Sequence, residues 1–540
     1  MQSTMMNVPL TLVQILERAG TLFASSEIVS RLPDKSIHRC TYGDIYKRAR
    51  MLAEALTKAG LKKGDRVATL MWNHYAHLEA YFGIPVAGGV LHTLNLRLFP
   101  NDIAYIVNHA EDRFLIVDDV LLPLLDKFRD QIKVEKIIVF PFSGKPVPEG
   151  MTSYEDFIGT ATGDFSYPEI DENDACGMCY TSGTTGNPKG VVYSHRSQVL
   201  HSVVSALPDG LNLTRRDSVM PVVPMFHVNA WGLPYTLALI GAKQVYPGPH
   251  MDGESLLDMF EKEKVTVTAG VPTLWLGVMN ALSKEPQRWT LQPGMRMVSG
   301  GSATPISLFK AFDKFNIRIV AAWGMTETSP LGSVSNLTPD MLDWPEEKQY
   351  EYRAKAGLYV PLLEARVVNE EGVAPMDGKT VGELQVRSPW VTGSYFKGEG
   401  GSDKFTPDGW FATGDVATIS PEGFIHITDR TKDLIKSGGE WISSVELENE
   451  IMGHPAVAEA AVIAVPHPKW QERPLAVVVK KPGMEVTKED IIEFLRPKVA
   501  TWWLPDDVVF AEELPHTSTG KLMKRSLRER YQDWGQQAAG

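Results

Sequence analysis

The sequence predicts an α/β protein with a large multi-layer N-terminal domain of parallel-rich sheets and a small α+β C-terminal domain. At 540 residues, the chain is too long for one ordinary hydrophobic core. Its first half alternates helical and strand-like segments, which is typical of layers packed around parallel sheets. The pattern changes after Asp429, where roughly 110 residues carry strands and helices of their own, enough for a compact lobe.

The N-terminal pattern is clearest in a helix predicted over residues 42–59. Its apolar residues recur at helical spacing, Thr41 suits the N-cap and Gly60 suits the end of the helix. A strand is predicted at 65–71 and a second helix at 74–87. Further short apolar strands are predicted at 114–117, 136–140 and 176–180.

The C-terminal region has its own elements. Thr487, with Asp490 three residues later, forms an acidic variant of a capping box and opens a helix predicted over 487–499. The last predicted helix, 521–531, is basic and amphipathic. Strands are predicted at 456–465, 475–479 and 508–511.

Charge and hydropathy limit the binding partners and the cellular location that we expect. The net charge of −12 disfavours nucleic acid and anionic membranes as main partners. The N-terminus lacks a basic leader region, and no apolar run reaches the roughly 18 residues of a membrane span. The longest run, 81–91, is predicted to be a core helix. We therefore expect a cytoplasmic protein without a stable membrane anchor.

The chain has three cysteines. Cys176 and Cys179 form a C-x-x-C pair, a spacing found in zinc and redox sites. Zinc needs about four ligands, and Cys40 is far away in the sequence. Buried core thiols are the favoured interpretation.

Residues 181–190 are the most informative segment. They read Thr-Ser-Gly-Thr-Thr-Gly-Asn-Pro-Lys-Gly. Small residues let backbone N–H groups and hydroxyls close around an anion, and Lys189 adds a positive charge. The loop is not a Walker A motif, because Lys189 lies between Pro188 and Gly190. Taken alone, such a run is also common in polar surface turns.

The loop resembles the phosphate-binding signature of AMP-forming acyl-CoA synthetases, which belong to the adenylate-forming superfamily. The resemblance covers nearly the whole chain and extends to bacterial medium- and long-chain fatty-acyl-CoA synthetases and to 3-methylmercaptopropionate–CoA ligases. Four more segments resemble family motifs in the same order: 323–328 for adenine and metal, 409–415 for ribose, 429–441 for the hinge, and 515–521 for a C-terminal lysine.

The resemblance implies ATP, a carboxylic acid and coenzyme A as small-molecule partners, with Mg²⁺ as the metal. A carboxylate oxygen leaves poorly, and adenylation makes AMP the leaving group. The family rotates a mobile C-terminal domain between its two half-reactions. The implied division is an adenylation domain at 1–429, a hinge at 430–433 and the mobile domain at 434–540. A homodimer is also implied.

The resemblance assigns the nucleotide and metal sites. Glu327 and Thr184 are the metal candidates, because Mg²⁺ prefers carboxylate oxygen together with phosphates and water. Asp415 would accept hydrogen bonds from both ribose hydroxyls, and Trp323 would pack beside the adenine or line the acyl site. The assigned ATP- and AMP-binding residues are Thr181, Ser182, Gly183, Thr184, Thr185, Gly186, Lys189, Ser302, Ala322, Trp323, Gly324, Met325, Thr326, Asp415, Arg430 and Lys432.

The catalytic cation implied by the resemblance is Lys521, which follows Gly520 in a polar loop. It would contact the carboxylate and α-phosphate oxygens as charge redistributes in the transition state. Lys524 would share its face if the helix begins there, so it is kept as a second catalytic contact. A solvated basic helix accounts for Arg525, Arg528 and Arg530.

After rotation of the mobile domain, another segment would face the acyl-adenylate. Its double glycine permits a close backbone approach beside a thiol tunnel. Glu472 is a weaker candidate, for which a surface loop is an equal alternative. The assigned residues on the coenzyme A side are Lys436, Ser437, Gly438, Gly439, Glu440, Trp441 and Glu472.

The acyl pocket is assigned from the segment 225–231 and from small residues opposite it. Trp231 resembles a gating tryptophan at the mouth of a fatty-acyl tunnel. Amino-acid-adenylating relatives carry an aspartate near this segment, and its absence disfavours an amino acid. The assigned residues are His227, Trp231, Gly300, Gly301 and Pro330.

The expected reaction is ligation of a short-to-medium-chain acid, or a thioether acid, to coenzyme A, with Trp231 capping the pocket. A long-chain substrate, or another acceptor such as oxygen or a carrier protein, stays open. A non-catalytic binding protein is disfavoured by the presence of Glu327, Asp415 and Lys521. An esterase has no support, because the sequence has no G-x-S-x-G motif.

Overall fold

The computed structural model describes residues 1, 3–181, 187–398, 401–430, 432–437, 440–517, 521–532 and 534. Its strands form sheets of seven, 14 and five strands. The first two sheets are built from residues up to Arg430, and the third lies C-terminal to them. The predicted α/β class is confirmed.

The elements are named in chain order. The helices are α1 (Leu12–Leu22), α2 (Tyr42–Lys58), α3 (Tyr75–Val86), α4 (Pro100–Ala110), α5 (Leu122–Leu125), α6 (Tyr154–Gly159), α7 (His195–Ala206), α8 (Val228–Trp231), α9 (Leu233–Ile240), α10 (Gly253–Lys262), α11 (Pro272–Lys284), α12 (Ile306–Asp313), α13 (Glu346–Arg353), α14 (Ser444–Met452), α15 (Lys488–Leu495) and α16 (Lys524–Arg530). The strands are β1 (Glu27–Arg31), β2 (Ile37–Thr41), β3 (Arg66–Leu70), β4 (Val90–Thr93), β5 (Asp112–Asp118), β6 (Lys136–Phe140), β7 (Thr152–Ser153), β8 (Ala175–Tyr180), β9 (Gly190–Ser194), β10 (Ser218–Pro221), β11 (Lys243–Tyr246), β12 (Val267–Gly270), β13 (Met295–Ser299), β14 (Ile317–Gly324), β15 (Leu331–Val334), β16 (Gly357–Tyr359), β17 (Glu364–Asn369), β18 (Gly372–Val373), β19 (Gly382–Arg387), β20 (Phe411–Ile419), β21 (Phe424–Arg430), β22 (Ile435–Ser437), β23 (Glu440–Ile442), β24 (Val457–His467), β25 (Gln471–Lys480) and β26 (Asp507–Phe510).

The seven-stranded sheet has the order β7-β6-β5-β3-β4-β8-β9. Its pairs are parallel except for β8 with β9. Helices α2 and α3 pack together beside it, and Gly83 permits their close approach, since a Cβ there would lie 2.8 Å from the carbonyl oxygen of Ala49. The antiparallel β8–β9 pair places Tyr180 opposite Gly190, so the two ends of the glycine-rich loop lie next to each other.

The 14-stranded sheet has two halves. Strands β1 and β10 to β14 pair in parallel, whereas β15 to β21 pair antiparallel. The antiparallel half has no counterpart in the sequence-based description. Parallel strands end at one edge of a sheet, so the loops after β10, β12, β13 and β14 converge there.

The five-stranded sheet forms the core of a small C-terminal lobe, with β22 to β26 and helices α14 to α16. The predicted capping box is present, since Thr487 N donates to Asp490 at 2.9 Å and Asp490 N donates to Thr487 Oγ1 at 3.2 Å. Helix α15 ends at Leu495, four residues earlier than predicted. The last helix begins at Lys524 rather than at Lys521.

Two local predictions, one from hydropathy and one from cysteine spacing, have different outcomes. The apolar run 81–91 is not one helix: α3 ends at Val86, a turn with Gly88 at φ 83° follows, and β4 begins at Val90. Cys176 and Cys179 are both buried free thiols, as predicted. None of the described helices combines the length and the hydropathy that crossing a bilayer requires.

Candidate active site

A cavity of about 920 Å³ lies between the loops after the parallel strands and the small lobe. Its walls come from both parts of the chain, so it is complete only when they are together. The predicted site residues that line it are Thr181, Lys189, His227, Trp231, Gly300, Gly301, Ser302, Ala322, Trp323, Gly324, Met325, Thr326, Glu327, Pro330, Asp415, Arg430, Lys432, Lys521 and Lys524.

The two ends of the glycine-rich loop are held together at this cavity. Thr181 N donates to the carbonyl oxygen of Lys189 at 2.9 Å, and Lys189 N donates to Thr181 Oγ1 at 3.3 Å. The Lys189 ammonium lies 5.0 Å from the ring centroid of Tyr395. The loop's predicted phosphate ligands Ser182, Gly183, Thr184, Thr185 and Gly186 lie outside the described residues.

Asp415 is a buried carboxylate at the cavity wall, with 4% of its surface exposed. Trp323 Nε1 donates to its Oδ2 at 2.8 Å, and Arg430 Nε lies 3.2 Å from its Oδ1. Arg430 is placed there by strand pairing, because it lies directly opposite Asp415 in the β20–β21 register. The indole therefore orients Asp415, a role that the sequence did not indicate for Trp323.

Glu327 lies in a short helical turn, Thr326–Thr328, with 7% of its surface exposed. Tyr395 OH donates to its Oε1 at 2.8 Å, and Thr392 N donates to its backbone carbonyl at 2.8 Å. Tyr395 contacts both Glu327 and Lys189, so it joins two of the residues predicted to lie near the phosphates. Sequence reasoning missed it, because no recognised motif contains it.

The donor set fits a Mg²⁺ ion that is shared with phosphates. Among the described residues, no cluster of three or more His, Cys, Asp or Glu side chains could enclose a metal. Mg²⁺ is usually held by one or two carboxylates plus substrate phosphates and water. The single carboxylate of Glu327, which shares its neighbour Tyr395 with Lys189, meets that requirement.

Lys521 enters the cavity from the small lobe. Thr517 N donates to the Lys521 carbonyl at 2.6 Å, and Lys521 N donates to Thr517 Oγ1 at 3.1 Å. A Cβ at Gly301 would lie 3.5 Å from Lys521 Cε, and the φ of 87° at Gly301 disfavours any other residue there. The backbone conformation, rather than a lack of space, therefore favours glycine beside the lysine stem.

The charge of Lys521 is destabilised in the cavity. Burial, followed by the nearby positive charge of Arg430, lowers the pKa of Lys521 to about 8. The carboxylates of Asp415 and Glu327 oppose that change. An ammonium that has lost water interacts more strongly with an anion than a hydrated one does.

Lys524 also lines the cavity, but its ammonium points into the lobe. It donates to Ser444 Oγ at 2.6 Å and lies 2.7 Å from Glu448 Oε1. The side chain is buried together with these partners. This placement favours Lys521, rather than Lys524, as the cation that faces a ligand.

The part of the cavity predicted to hold the acyl group has a neutral, largely apolar wall. Burial lowers the pKa of His227 to about 3, so the imidazole is uncharged at neutral pH. A Cβ at Gly300 would lie 3.2 Å from the indole of Trp231 and 2.8 Å from the Ala322 carbonyl oxygen. The remaining apolar lining includes Val223, Pro224, Val271, Leu274 and Leu276.

Trp231 ends a turn of unusual backbone conformation. Residues 228–231 all have positive φ, between 40° and 58°, and none is glycine. Left-handed conformation costs L-residues roughly 1–2 kcal/mol each. The turn ends at Gly232, with φ 71°. Hydropathy and spacing carry no signal for such a turn.

Among the described residues predicted for the coenzyme A side, Lys436, Ser437, Trp441 and Glu472 lie outside the cavity. Lys436 N donates to Glu472 Oε2 at 2.8 Å, and Ser437 pairs with Gln471. The Lys436 ammonium lies 4.6 Å from the Trp441 ring, which is 46% exposed. Gly438 and Gly439 lie outside the described residues, and Glu440 begins β23. Lys436 and Trp441 are therefore exposed, and Ser437 is buried beside them, while Lys521 occupies the cavity.

Comparison with protein families identifies the chain. The model described as AMP-binding enzyme matches residues 18–396, and the model of the AMP-binding enzyme C-terminal domain matches 446–521. The chain belongs to the AMP-binding enzyme family. The family resemblance predicted from five sequence motifs is confirmed.

Curated relatives of this AMP-binding enzyme match over nearly its whole length. It is 51% identical to a long-chain-fatty-acid–CoA ligase of Thermus thermophilus, over 98% of this chain and 97% of the relative. It is 44% identical to a medium-chain-fatty-acid–CoA ligase of Ectopseudomonas oleovorans, covering 99% and 98%. It is 45% identical to a 3-methylmercaptopropionyl-CoA ligase of Ruegeria lacuscaerulensis, covering 99% of both.

Solved structures agree on the fold. The anthranilate CoA ligase AuaEII in complex with anthranoyl-AMP matches with a TM-score of 0.87 at 26% identity, over 100% of both chains. ATP-bound MatB from Rhodopseudomonas palustris matches with a TM-score of 0.81 at 25% identity, over 98% of this chain and 100% of MatB.

Replacing Asp415 with alanine should weaken AMP binding by about 10- to 100-fold, since a hydrogen bond to a charged group contributes about 1.5–3 kcal/mol. Isothermal titration calorimetry with AMP measures the effect. Asp408→Ala is the matched control, because Asp408 forms an exposed ion pair with Arg366. Equal AMP affinity in the two variants would remove Asp415 from the nucleotide site.

Proposed function

We propose that this AMP-binding enzyme joins a short-to-medium-chain carboxylic acid, or a thioether acid, to coenzyme A. ATP is cleaved to AMP and pyrophosphate, and an acyl-adenylate is the intermediate. The observation that carries the proposal is the meeting of Lys521, Asp415 and Glu327 around one cavity with an apolar wall. The curated relatives named as CoA ligases support it.

In the first half-reaction, a carboxylate oxygen of the acid attacks the α-phosphorus of ATP, and pyrophosphate leaves. Asp415 holds the ribose, and Lys189 with the glycine-rich loop holds the phosphates. Lys521 donates hydrogen bonds to the oxygens that gain charge as the new bond forms. Glu327, together with the phosphates, would hold a Mg²⁺ ion, which would neutralise phosphate charge.

In the second half-reaction, the thiol of coenzyme A attacks the acyl carbonyl, the thiol proton is lost, and AMP leaves. The cluster of Lys436, Ser437 and Trp441 would reach the acyl-adenylate only after the small lobe rotates, because it lies outside the cavity in this structure. A hinge at 430–433 allows that movement. The exposed indole and ammonium offer stacking and charge to a nucleotide.

The proposed chain length of the acid depends on Trp231, whose ring lies against Gly300 at the cavity wall. An indole at this position shortens the space for an acyl chain. Long-chain acids are the second candidate, and the observation favouring them is the 51% identity to the long-chain ligase of Thermus thermophilus. A homodimer in the cytoplasm also stays a prediction.

Lys521→Ala should reduce acyl-adenylate formation by roughly 10²- to 10³-fold, since one lost transition-state donor has an effect of that size. Thioester formation from supplied acyl-adenylate and coenzyme A should be largely retained, because Lys521 acts in one pose only. Pyrophosphate release and thioester formation are measured separately. Equal loss in both half-reactions would contradict the role.

The pH profile gives an independent check on the same residue. Above about pH 8, the pKa of Lys521, the ammonium is lost and kcat/KM for adenylation should fall about tenfold per pH unit. Lys521→Arg should remove this decline, because a guanidinium stays charged. A decline that is identical in Lys521→Arg would assign it to another group.

Glu327→Ala should raise the Mg²⁺ concentration needed for half-maximal adenylation and lower the rate by about 10²-fold or more, because the metal neutralises developing phosphate charge. Pyrophosphate release across a Mg²⁺ titration measures both effects. Tyr395→Phe is the control, since it keeps the carboxylate and loses one hydrogen bond. Unchanged Mg²⁺ dependence in Glu327→Ala would exclude it as a ligand.

Trp231→Ala should shift acid preference toward longer chains, whereas the native enzyme should prefer short-to-medium acids over palmitate. Each additional buried methylene contributes about 0.8 kcal/mol, so an opened pocket favours length progressively. A kcat/KM series from acetate to palmitate, with 3-methylmercaptopropionate included, measures it. Trp502→Ala, an exposed tryptophan of the small lobe, is the control. Best use of palmitate by the native enzyme, unchanged in Trp231→Ala, would support the long-chain alternative.

A further inference from the structure

A buried charged cluster lies where the large domain meets the small lobe. Asp429 is the second-to-last residue of β21 and is 1% exposed. Glu448 and Lys524 belong to the small lobe, and both are buried. Carboxylates and ammonium groups are rarely buried unless they are paired. Their positions therefore depend on one another.

Ser444 links the two sides of this cluster. Its backbone N donates to Asp429 Oδ2 at 2.7 Å, and its hydroxyl donates to the same oxygen at 2.6 Å. Ser444 is the first residue of α14, and the N-terminus of a helix favours a negative charge. Beside it, Ser443 Oγ donates to the Thr428 carbonyl oxygen. These bonds join residues on opposite sides of the segment 430–433.

Lys524 completes the chain of contacts. Its ammonium donates to the Ser444 hydroxyl at 2.6 Å, and that hydroxyl in turn donates to Asp429. On its other side, Lys524 pairs with Glu448 at 2.7 Å, and Val462 N donates to the same Glu448 oxygen at 2.7 Å. The ammonium is thus held within the lobe, and the Ser444 hydroxyl lies between it and the Asp429 carboxylate.

The cluster lies where it can determine the position of Lys521. Lys524 follows Lys521 by three residues, so the contacts of Lys524 fix the backbone from which Lys521 enters the cavity. On the other side, Asp429 precedes Arg430, whose guanidinium contacts Asp415. Any rotation about 430–433 separates Asp429 from Ser444 and exposes a carboxylate that is buried here. Burial raises the pKa of Asp429, and Lys524 opposes that rise.

We propose that Asp429, Ser444 and Lys524 form a latch that holds the small lobe in the pose where Lys521 occupies the cavity. These are positioning residues, which act through Lys521 and touch no substrate. The inference rests on the proposed function, in which that pose serves adenylation and a rotated pose serves thioester formation. Lys524 then has a role different from the second catalytic contact that its sequence position indicated.

The test uses the full-length enzyme and the variants Ser444→Ala, Asp429→Ala and Lys524→Met. Single-turnover pyrophosphate release from acid and ATP reports adenylation, and thioester yield from supplied acyl-adenylate and coenzyme A reports the second half-reaction. Adenylation should fall at least about tenfold, as expected from loss of hydrogen bonds to charged groups, and thioester formation should be unchanged or faster. Ser444→Thr should restore adenylation, because it restores the hydroxyl.

Lys498→Met is the matched control. Lys498 pairs with Glu450, which lies in α14 like Glu448, but Lys498 is exposed. This variant should leave both half-reactions unchanged. Equal loss of both half-reactions in Ser444→Ala would overturn the latch and indicate a general folding role. Loss confined to Lys524→Met, with Ser444→Ala and Asp429→Ala active, would return Lys524 to contact with the substrate. If Asp429→Ala fails to fold, Ser444→Ala decides, because it removes only one hydroxyl.

Hydrogen–deuterium exchange separates failure of the latch from failure of the proposed function. Backbone amides at 443–447 should exchange faster in Ser444→Ala and Asp429→Ala than in the native enzyme or Lys498→Met. This readout needs no turnover, so it holds even if no acid supports pyrophosphate release. Unchanged exchange at 443–447 in both variants would overturn the latch whatever the substrate.

Discussion

The site depends on one electrostatic arrangement, an ammonium of the small lobe that lies dehydrated among charges of the large domain. Lys521 loses solvation when it enters the cavity, and its pKa falls as a result. A phosphate or carboxylate in the same space would stabilise the charged form of Lys521 again. Because the walls belong to two lobes, the charge is present only while the lobes are together. Under the proposed function, Lys521 would therefore couple binding and catalysis to lobe movement.

The large domain holds its own charged groups rigidly. Asp415 is fixed by an indole and by a cross-strand arginine, and Glu327 is fixed by Tyr395. Fixed dipoles and charges stabilise a transition state without reorganising during the reaction. The small lobe, in contrast, meets the large domain at a hydrogen-bonded junction that a rotation can break. Under the proposed function, rigid groups would bind the nucleotide and a movable group would supply the cation.

Much of the fold and the site could be predicted from local patterns. The capping box of Thr487 and the helix α2 depend on neighbours within a few residues, so spacing predicts them. The apolar run 81–91 was predicted wrongly, because hydropathy does not separate a buried helix end from the buried strand that follows it. The four consecutive positive φ angles before Gly232 leave no mark on the hydrophobic pattern, so the sequence did not predict them.

By itself, the sequence determined the family, the α/β class and the residue types that meet a nucleotide, because these rest on short motifs with local hydrogen bonding. Only the tertiary structure decided that Tyr395 orients Glu327 and that Ser444 joins Asp429 to Lys524. Glu327 lies 68 residues from Tyr395 in the chain, and Ser444 lies 80 residues from Lys524. No spacing rule predicts contacts at such separations, because chain topology brings those residues together and burial then forces the polar groups to pair.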